Sequence, residues 1–281
     1  MRVAIIGLGL IGGSMGLALR DAGIEVVGYA RRPETASLAL ECKAVDRVEA
    51  DAASAVVASD VVVVATPVLA VRDVFAEISG SLSEGAIVTD VSSTKVEVMR
   101  WAEELLPSRV SFIGGHPMAG RETPGIEAAD AELFRGCTYC LVPGGGSADE
   151  AYETLEGLVW HIGANPLRID AGEHDRLVAG ISHLPLLISV ALVASATGSP
   201  LWPSMAWLAA SGYRDTTRLA SGNPRMGRDI CLTNKGPIID AIDAYIEELK
   251  RIRRMIIDGD EKLEEYLIRV RQSRQDWLRQ R

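Results

Sequence analysis

Cysteine is scarce in this chain, with only Cys42, Cys137, Cys140 and Cys231 among 281 residues. Four are too few for a disulfide framework and fit a reducing compartment. Cys137 and Cys140 have C-x-x-C spacing, but they lie in a strand-like run where positions i and i+3 point to opposite faces. No second pair exists for zinc, so metal and redox roles are set aside. Basic residues are in deficit too: 29 Lys+Arg against 38 Asp+Glu give a formal charge of −9. That excludes a duplex-binding surface of clustered cations, and with it a nucleic-acid partner, but leaves room for a local pocket that takes a small anion. No serine stands in a nucleophile-elbow context. The apolar stretch 184–196 falls short of the ~20 residues that span a bilayer and reads as a buried helix. Glycines break the apolar run that follows Met1-Arg2, so a signal peptide is not expected. The expectation is a cytoplasmic protein with no membrane association.

What is present describes a filled core. Apolar residues make up 48 % and charged residues 24 %, the balance of a globular protein, and the length points to two domains. Short β-branched runs at 3–6, 25–29, 61–65, 86–90, 110–114, 139–142 and 166–169 alternate with helical patterns. Several are continuously apolar, as strands covered on both faces are. This predicts a doubly wound α/β domain over 1–170 with a largely parallel sheet. Beyond Asp170 the strand signal stops, and 173–196, 203–210, 235–258 and 261–280 read as helices of a second domain, 171–281. From Glu247 onward ten basic and eight acidic residues mix, which describes a solvated surface rather than a nucleic-acid arm.

The first strand runs into Gly7-Leu8-Gly9-Leu10-Ile11-Gly12 and an apolar helix. In that context Gly7 permits the tight turn, Gly9 lets backbone approach a pyrophosphate, and Gly12 lets helix and strand pack. The helix N-terminus then offers free N–H groups to the diphosphate. Leu10 and Ile11 join the expected cofactor contacts, as do Thr66 and Pro67 after the third strand. An NAD-selective site would end the second strand with a carboxylate. Here Val27-Gly28-Tyr29-Ala30 is followed by Arg31-Arg32, whose guanidiniums suit a 2′-phosphate, so NADP is the expected cofactor with NAD possible. The plainer reading makes both arginines ordinary surface residues.

Only four histidines are present. His116, in Gly114-Gly115-His116-Pro117-Met118-Ala119-Gly120, follows an apolar strand and is expected in a loop at the carboxyl edge of the sheet, where such folds bind ligands. The flanking glycines leave room for substrate, and an imidazole can accept a proton as an alcohol is oxidised. A turn histidine with local hydrogen bonds is the alternative. His183, in Ser182-His183-Leu184-Pro185, either lines the cleft or is a core histidine. His174 belongs to a helix first turn with Asp175, and His161 to a helix end; neither is given a catalytic role. In Ser92-Ser93-Thr94-Lys95 a hydroxyl either caps the next helix or touches nicotinamide or substrate. Arg214-Asp215-Thr216-Thr217-Arg218 is a doubly cationic stretch fit for an anionic substrate.

Together, Asp90–Lys95, Gly114–Gly120, Ser182–Pro185 and Gly212–Arg218 resemble the prephenate/arogenate dehydrogenase family over nearly the whole chain. The resemblance implies a Rossmann-type domain followed by an all-helical C-terminal dimerisation domain, hence a homodimer. The reaction it implies is oxidation of a cyclohexadienol at C4 with loss of the C1 carboxylate as CO₂, without a metal. On that resemblance His116 accepts the hydrogen bond of the C4 hydroxyl and Ser93 holds the same hydroxyl near the nicotinamide. Arg218 binds the ring carboxylate, with His183, Asp215 and the neighbouring Arg214 as organisers, and Glu122 matches a position near the cleft. Some prephenate-using members read Ser-His-Leu-Pro-His where Leu186 stands here, and carry a tryptophan at Gly227. The run Gly222 to Gly227 is more similar to the cyanobacterial type of arogenate dehydrogenase, which favours NADP. The expectation is therefore NADP-dependent oxidation of arogenate, with prephenate as the alternative. A 3-hydroxy-acid or 6-phosphogluconate-type dehydrogenase using Lys235 is a remoter reading, and a catalytically silent NADP-binding sensor another.

Overall fold

The computed structural model describes residues 1–121, 123–259 and 261–279. Strands and helices alternate as β1 (Arg2–Ile6), α1 (Leu10–Asp21), β2 (Glu25–Tyr29), α2 (Pro33–Glu41), β3 (Arg47–Val48) and α3 (Ala52–Ala55). They continue as β4 (Val61–Val64), α4 (Val68–Ile78), β5 (Ile87–Asp90), α5 (Val96–Leu105) and β6 (Ser111–Pro117). Then come β7 (Thr138–Pro143), α6 (Asp149–His161) and β8 (Asn165–Arg168). The strands form one sheet in the order β3-β2-β1-β4-β5-β6-β7-β8. Every neighbouring pair is parallel except β6 with β7. β3 was not expected: two residues paired at the sheet edge are too short to carry a period.

Period-two alternation explains why the runs are apolar throughout. Val3 and Ile5 of β1 join one core with Met15, Leu19 and Leu155, whereas Ala4 and Ile6 join another with Phe75, Ile78 and Trp101. Phe75 is fully buried and meets the Phe112 ring edge-on at 5.4 Å between centroids. Its truncation to alanine would cost ~3–5 kcal/mol. The order reverses between β1 and β4, and a crevice opens at the carboxyl ends of strands at such a switch point.

From Asp170 onward the described elements are helical: α7 (Ala171–Val178), α8 (Leu184–Thr197), α9 (Trp202–Leu208), α10 (Ser211–Thr217), α11 (Pro224–Thr233), α12 (Lys235–Ile257) and α13 (Lys262–Arg279). α10 and α11 were not expected. Asn223 caps α11 by accepting from Arg225 N and Met226 N, and Pro224 occupies its first turn, so Gly-Asn-Pro is a helix start. A π-turn, Ala179–His183, joins α7 to α8. The continuous helix Ala171–Thr197 has 27 residues and a mean hydropathy of 2.2, long and apolar enough to cross a membrane by length and composition alone. This corrects the length argument drawn from 184–196. The expected burial of that stretch is also corrected: along α8 only Ser189 and Ala196 are buried.

The chain falls into two compact units, Met1–Lys235 and Gly236–Arg281. The change from alternating elements to helices alone comes inside the first. In the second, Tyr266 Oη donates to Glu248 Oε1 at 2.6 Å, and the guanidiniums of Arg251 and Arg269 lie over the Tyr266 ring.

Candidate active site

The turn between β1 and α1 has the shape a dinucleotide needs. Gly7 has φ +106°, and a Cβ there would lie 2.6 Å from Ala65 O, which places this turn against the loop after β4. A Cβ on Gly12 would fall 2.0 Å from Gly7 O, whereas one on Gly9 meets nothing within 4 Å. The two outer glycines serve packing and the middle one faces open space. α1 begins at Leu10 and Ile11 with Gly9 as its cap, no side-chain cap and no acidic residue in its first turn. Its N–H groups and positive dipole end are available to an anion. Across the turn Thr66 Oγ1 is buried without a hydrogen-bond partner among the described residues, and Pro67 opens α4. Arg31 and Arg32 follow β2 and are exposed, with Arg32 at the cap of α2. An open glycine, unpaired helix N–H groups, an orphaned hydroxyl and two guanidiniums fit a phosphorylated dinucleotide.

Next along the sheet edge a buried ion pair organises the centre. Lys95 Nζ donates to Asp90 Oδ1 at 2.7 Å, Asp90 Oδ2 at 2.6 Å and Gly115 O at 2.6 Å. Asp90 also accepts from Gly115 N at 3.0 Å and Ser92 N at 2.8 Å. All three ammonium protons are used, and both carboxylate oxygens accept two bonds each. Burial pulls the Lys95 ammonium down from its ordinary value, and Asp90 opposes that pull. The glycines before His116 make room for this pair rather than for substrate. A Cβ on Gly114 would lie 2.9 Å from Met99 Sδ and 3.2 Å from Lys95 Cδ, and one on Gly115 2.4 Å from Asp90 O.

His116 is not in a loop. β6 continues through Pro117 because antiparallel β7 pairs with it, His116 opposite Cys140, and the imidazole is buried. Its Nδ1 is 2.8 Å from His174 Nε2, and His174 Nδ1 is 2.8 Å from Asp175 Oδ1. Asp175 in turn accepts from Lys95 N at 2.7 Å and Val96 N at 2.9 Å. It therefore caps α5, correcting the expectation of a hydroxyl cap from Ser92-Ser93-Thr94; Thr94 Oγ1 instead bonds Thr233 Oγ1. Burial holds His116 well below its ordinary pKa, and repulsion from the neighbouring imidazoles of His174 and His183, when protonated, and from the Lys95 ammonium acts in the same sense. That leaves a neutral imidazole at neutral pH.

His183, in the π-turn, is buried and bonds Asn234 Nδ2 through Nδ1 at 3.2 Å. Burial pushes its pKa down to about 4; Asp175 and the Ser93 main chain act in the opposite sense. The structure thus brings Ser93, His116 and His183 to one place. It does not bring Arg214 and Asp215 there: they pair with each other at 3.2 Å on exposed α10. Arg218 opens the turn Arg218–Ser221 and is exposed. Glu122 lies outside the described residues. Lys235, on which the hydroxy-acid reading depends, is exposed at the first position of α12.

Known proteins are similar to this chain in sequence and fold. Residues 15–167 match the family model "Prephenate dehydrogenase, nucleotide-binding domain" and residues 170–270 match "Prephenate dehydrogenase, dimerization domain". The chain belongs to the prephenate/arogenate dehydrogenase family. It is 37 % identical to the prephenate dehydrogenase of Bacillus subtilis strain 168, over 92 % of this chain and 71 % of that protein. The crystal structure of Synechocystis arogenate dehydrogenase is similar, with a TM-score of 0.86 and 30 % identity over 99 % of this chain and 100 % of the other. Prephenate dehydrogenase from A. aeolicus, solved with hydroxyphenyl propionate and NAD+, aligns with a TM-score of 0.91 and 30 % identity over 98 % of each chain.

As a member of the prephenate/arogenate dehydrogenase family the chain is an NAD(P)-dependent oxidoreductase of tyrosine biosynthesis with a nucleotide-binding domain. Sequence reasoning missed His174, Asp175, Asn234 and the pairing of Lys95 with Asp90. No local signal in the sequence marks Asp175, because the α5 N–H groups that it holds lie about 80 residues before it.

Proposed function

We propose that the chain is an NADP-dependent arogenate dehydrogenase, converting arogenate to tyrosine and CO₂ as a cytoplasmic homodimer. The observation that carries the substrate is the contact between the two positions that depart from prephenate-using relatives. A Cβ on Gly227 would lie 3.6 Å from Leu186 Cδ2, so both departures belong to one patch. Leu186 cannot donate a hydrogen bond to a keto oxygen, as a histidine there can, and this favours the amino acid over the keto acid. Prephenate is the second reading, favoured by the 37 % identity to the Bacillus subtilis enzyme.

Residues 1–170 hold the cofactor and 171–281 complete the substrate site and the dimer. Gly7, Gly9, Leu10, Ile11 and Gly12 cradle the pyrophosphate, Arg31 and Arg32 meet the 2′-phosphate, and Thr66 and Pro67 line the opposite side. Bound NADP supplies the hydride acceptor. His116 accepts the C4 hydroxyl proton as hydride leaves that carbon, Ser93 holds the hydroxyl in line, and Arg218 pairs with the ring carboxylate until it departs as CO₂. The electron pair of the broken C–C bond completes the aromatic ring. His183 arranges the substrate beside these groups; by the family resemblance Asp215, Arg214 and Glu122 act on it too, although in the single chain Arg214 and Asp215 pair with each other on α10. No metal, membrane or nucleic acid is involved. The apolar helix Ala171–Thr197 commits His174, Asp175 and His183 to the site, which argues for a globular role, and exposed Ile181, Leu201, Trp207 and Leu208 supply apolar area for a second copy.

The test is steady-state reduction of nicotinamide with arogenate and prephenate, each with NADP and NAD. A higher kcat/KM for arogenate with NADP supports the reading. A higher value for prephenate transfers it to the second one.

A further inference from the structure

We infer that Asp175 and Asn234 set the two site histidines to opposite hydrogen-bonding polarity, His116 presenting Nε2 as an acceptor and His183 presenting Nε2–H as a donor. The role of that polarity in turnover rests on the reaction proposed above; the proton positions rest on geometry alone.

The assignment starts from Asp175, whose ionised carboxylate can only accept. Its Oδ1 takes Lys95 N–H and its Oδ2 takes Val96 N–H, the first free donors of α5, which hold the charge in place. The remaining bond to Oδ1, at 2.8 Å, comes from His174 Nδ1, which must carry a proton. With its charge already met by the helix end, Asp175 does not require a second proton on His174, whose ring is 1 % exposed. His174 Nε2 is then a lone pair, so the 2.8 Å contact to His116 Nδ1 is a bond that His116 donates. A neutral imidazole with Nδ1–H has its lone pair on Nε2. Among the described residues the hydrogen bond of the His116 ring runs through Nδ1, which leaves Nε2 as the nitrogen to meet a hydroxyl. That nitrogen is the acceptor a hydroxyl needs.

The same residue governs His183 through its main chain. Asn234 Nδ2 donates to Asp175 O at 2.8 Å, which identifies that atom as the amide nitrogen and fixes the orientation of the amide. Its second proton points to His183 Nδ1 at 3.2 Å, leaving Nδ1 as acceptor and the proton on Nε2. Among the described residues buried His183 Nε2 completes no full hydrogen bond, although the Ser93 main chain acts on the ring in the sense of an acceptor. A buried unpaired donor is costly, and one beside Ser93 is matched by a carboxylate or carbonyl oxygen of the substrate. His174, Asp175 and Asn234 are positioning residues: they act through the rings they orient.

Nitrogen-15 NMR of the imidazoles in the intact chain reads the proton positions without any turnover. The expected spectrum has His116 as the Nδ1–H form, His183 as the Nε2–H form and His174 as the neutral Nδ1–H form. His174→Phe is expected to release only His116 from its form and lower kcat about 10²-fold, and Asn234→Leu to release only His183. An Nε2–H His116, or an imidazolium at His174, in the unsubstituted protein overturns the inference whether or not either variant folds. Turnover alongside that result leaves the proposed function standing. The inferred forms in a protein that oxidises neither cyclohexadienol refute the function and leave the proton positions intact.

Discussion

Lys95 and Asp90 form an ion pair in which neither side chain has any solvent exposure, with Nζ 2.6 Å from Oδ2. The pair spans the turn that carries Ser92 and Ser93 and holds both the N–H and the C=O of Gly115, the residue before His116. It joins β5 to β6 where two candidate site residues emerge. Desolvating two charges is expensive, so such a pair is weak evidence of stabilisation but strong evidence that neither partner can be lost alone.

Lys95→Met is therefore expected to lower unfolding free energy by about 3–5 kcal/mol, because it leaves the Asp90 carboxylate buried and unmatched. Adding Asp90→Asn removes that charge and is expected to recover at least half of the loss. Urea denaturation of the complete chain measures both, and a loss under about 1 kcal/mol for Lys95→Met would contradict this account of the pair.

Two depressed imidazoles give a pH dependence of defined sign. His116 is held well below the ordinary 6.5 and His183 is lowered to about 4. Between about pH 4 and 6.5 the unfolded chain binds protons that the folded one refuses, so stability is complete above 6.5 and declines as pH falls through that window. The acid limb of kcat/KM is expected below the ordinary histidine range, since in the proposed reaction a neutral His116 accepts the proton. A stability that is level from pH 7 to pH 5, or an acid limb centred at 6.5, would contradict the burial argument.

Replacing Arg31 and Arg32 together with glutamine is expected to weaken NADP binding at least tenfold, about 1.4 kcal/mol, while changing NAD binding less than threefold. Calorimetric titration with each dinucleotide measures it. Equal losses for both would return the pair to the role of surface residues.

The sheet was legible because its strands are buried on both faces and so appear as unbroken apolar runs, as 61–64 does. β3 was illegible at two residues. His116 was misplaced because Gly114-Gly115-His116-Pro117 has the composition of a loop, and only pairing with β7 keeps it a strand. The glycine cradle and the arginine pair follow strand ends and could be found from the sequence. The relay could not, since His174 and Asp175 act on groups 58 and 80 residues away. The stretch 184–196 is apolar enough for a core helix, yet its side chains remain largely uncovered, and it falls in the part of the chain that matches the family's dimerization domain.

In the proposed reaction His116 takes the hydroxyl proton. His116→Asn keeps a side chain of similar reach and removes the base, so its kcat on the preferred cyclohexadienol is the most direct measurement, taken with NADP affinity on the same preparation. Unchanged NADP binding and a kcat at least ~100-fold lower are expected. Wild-type kcat in that variant would remove His116 from the chemistry.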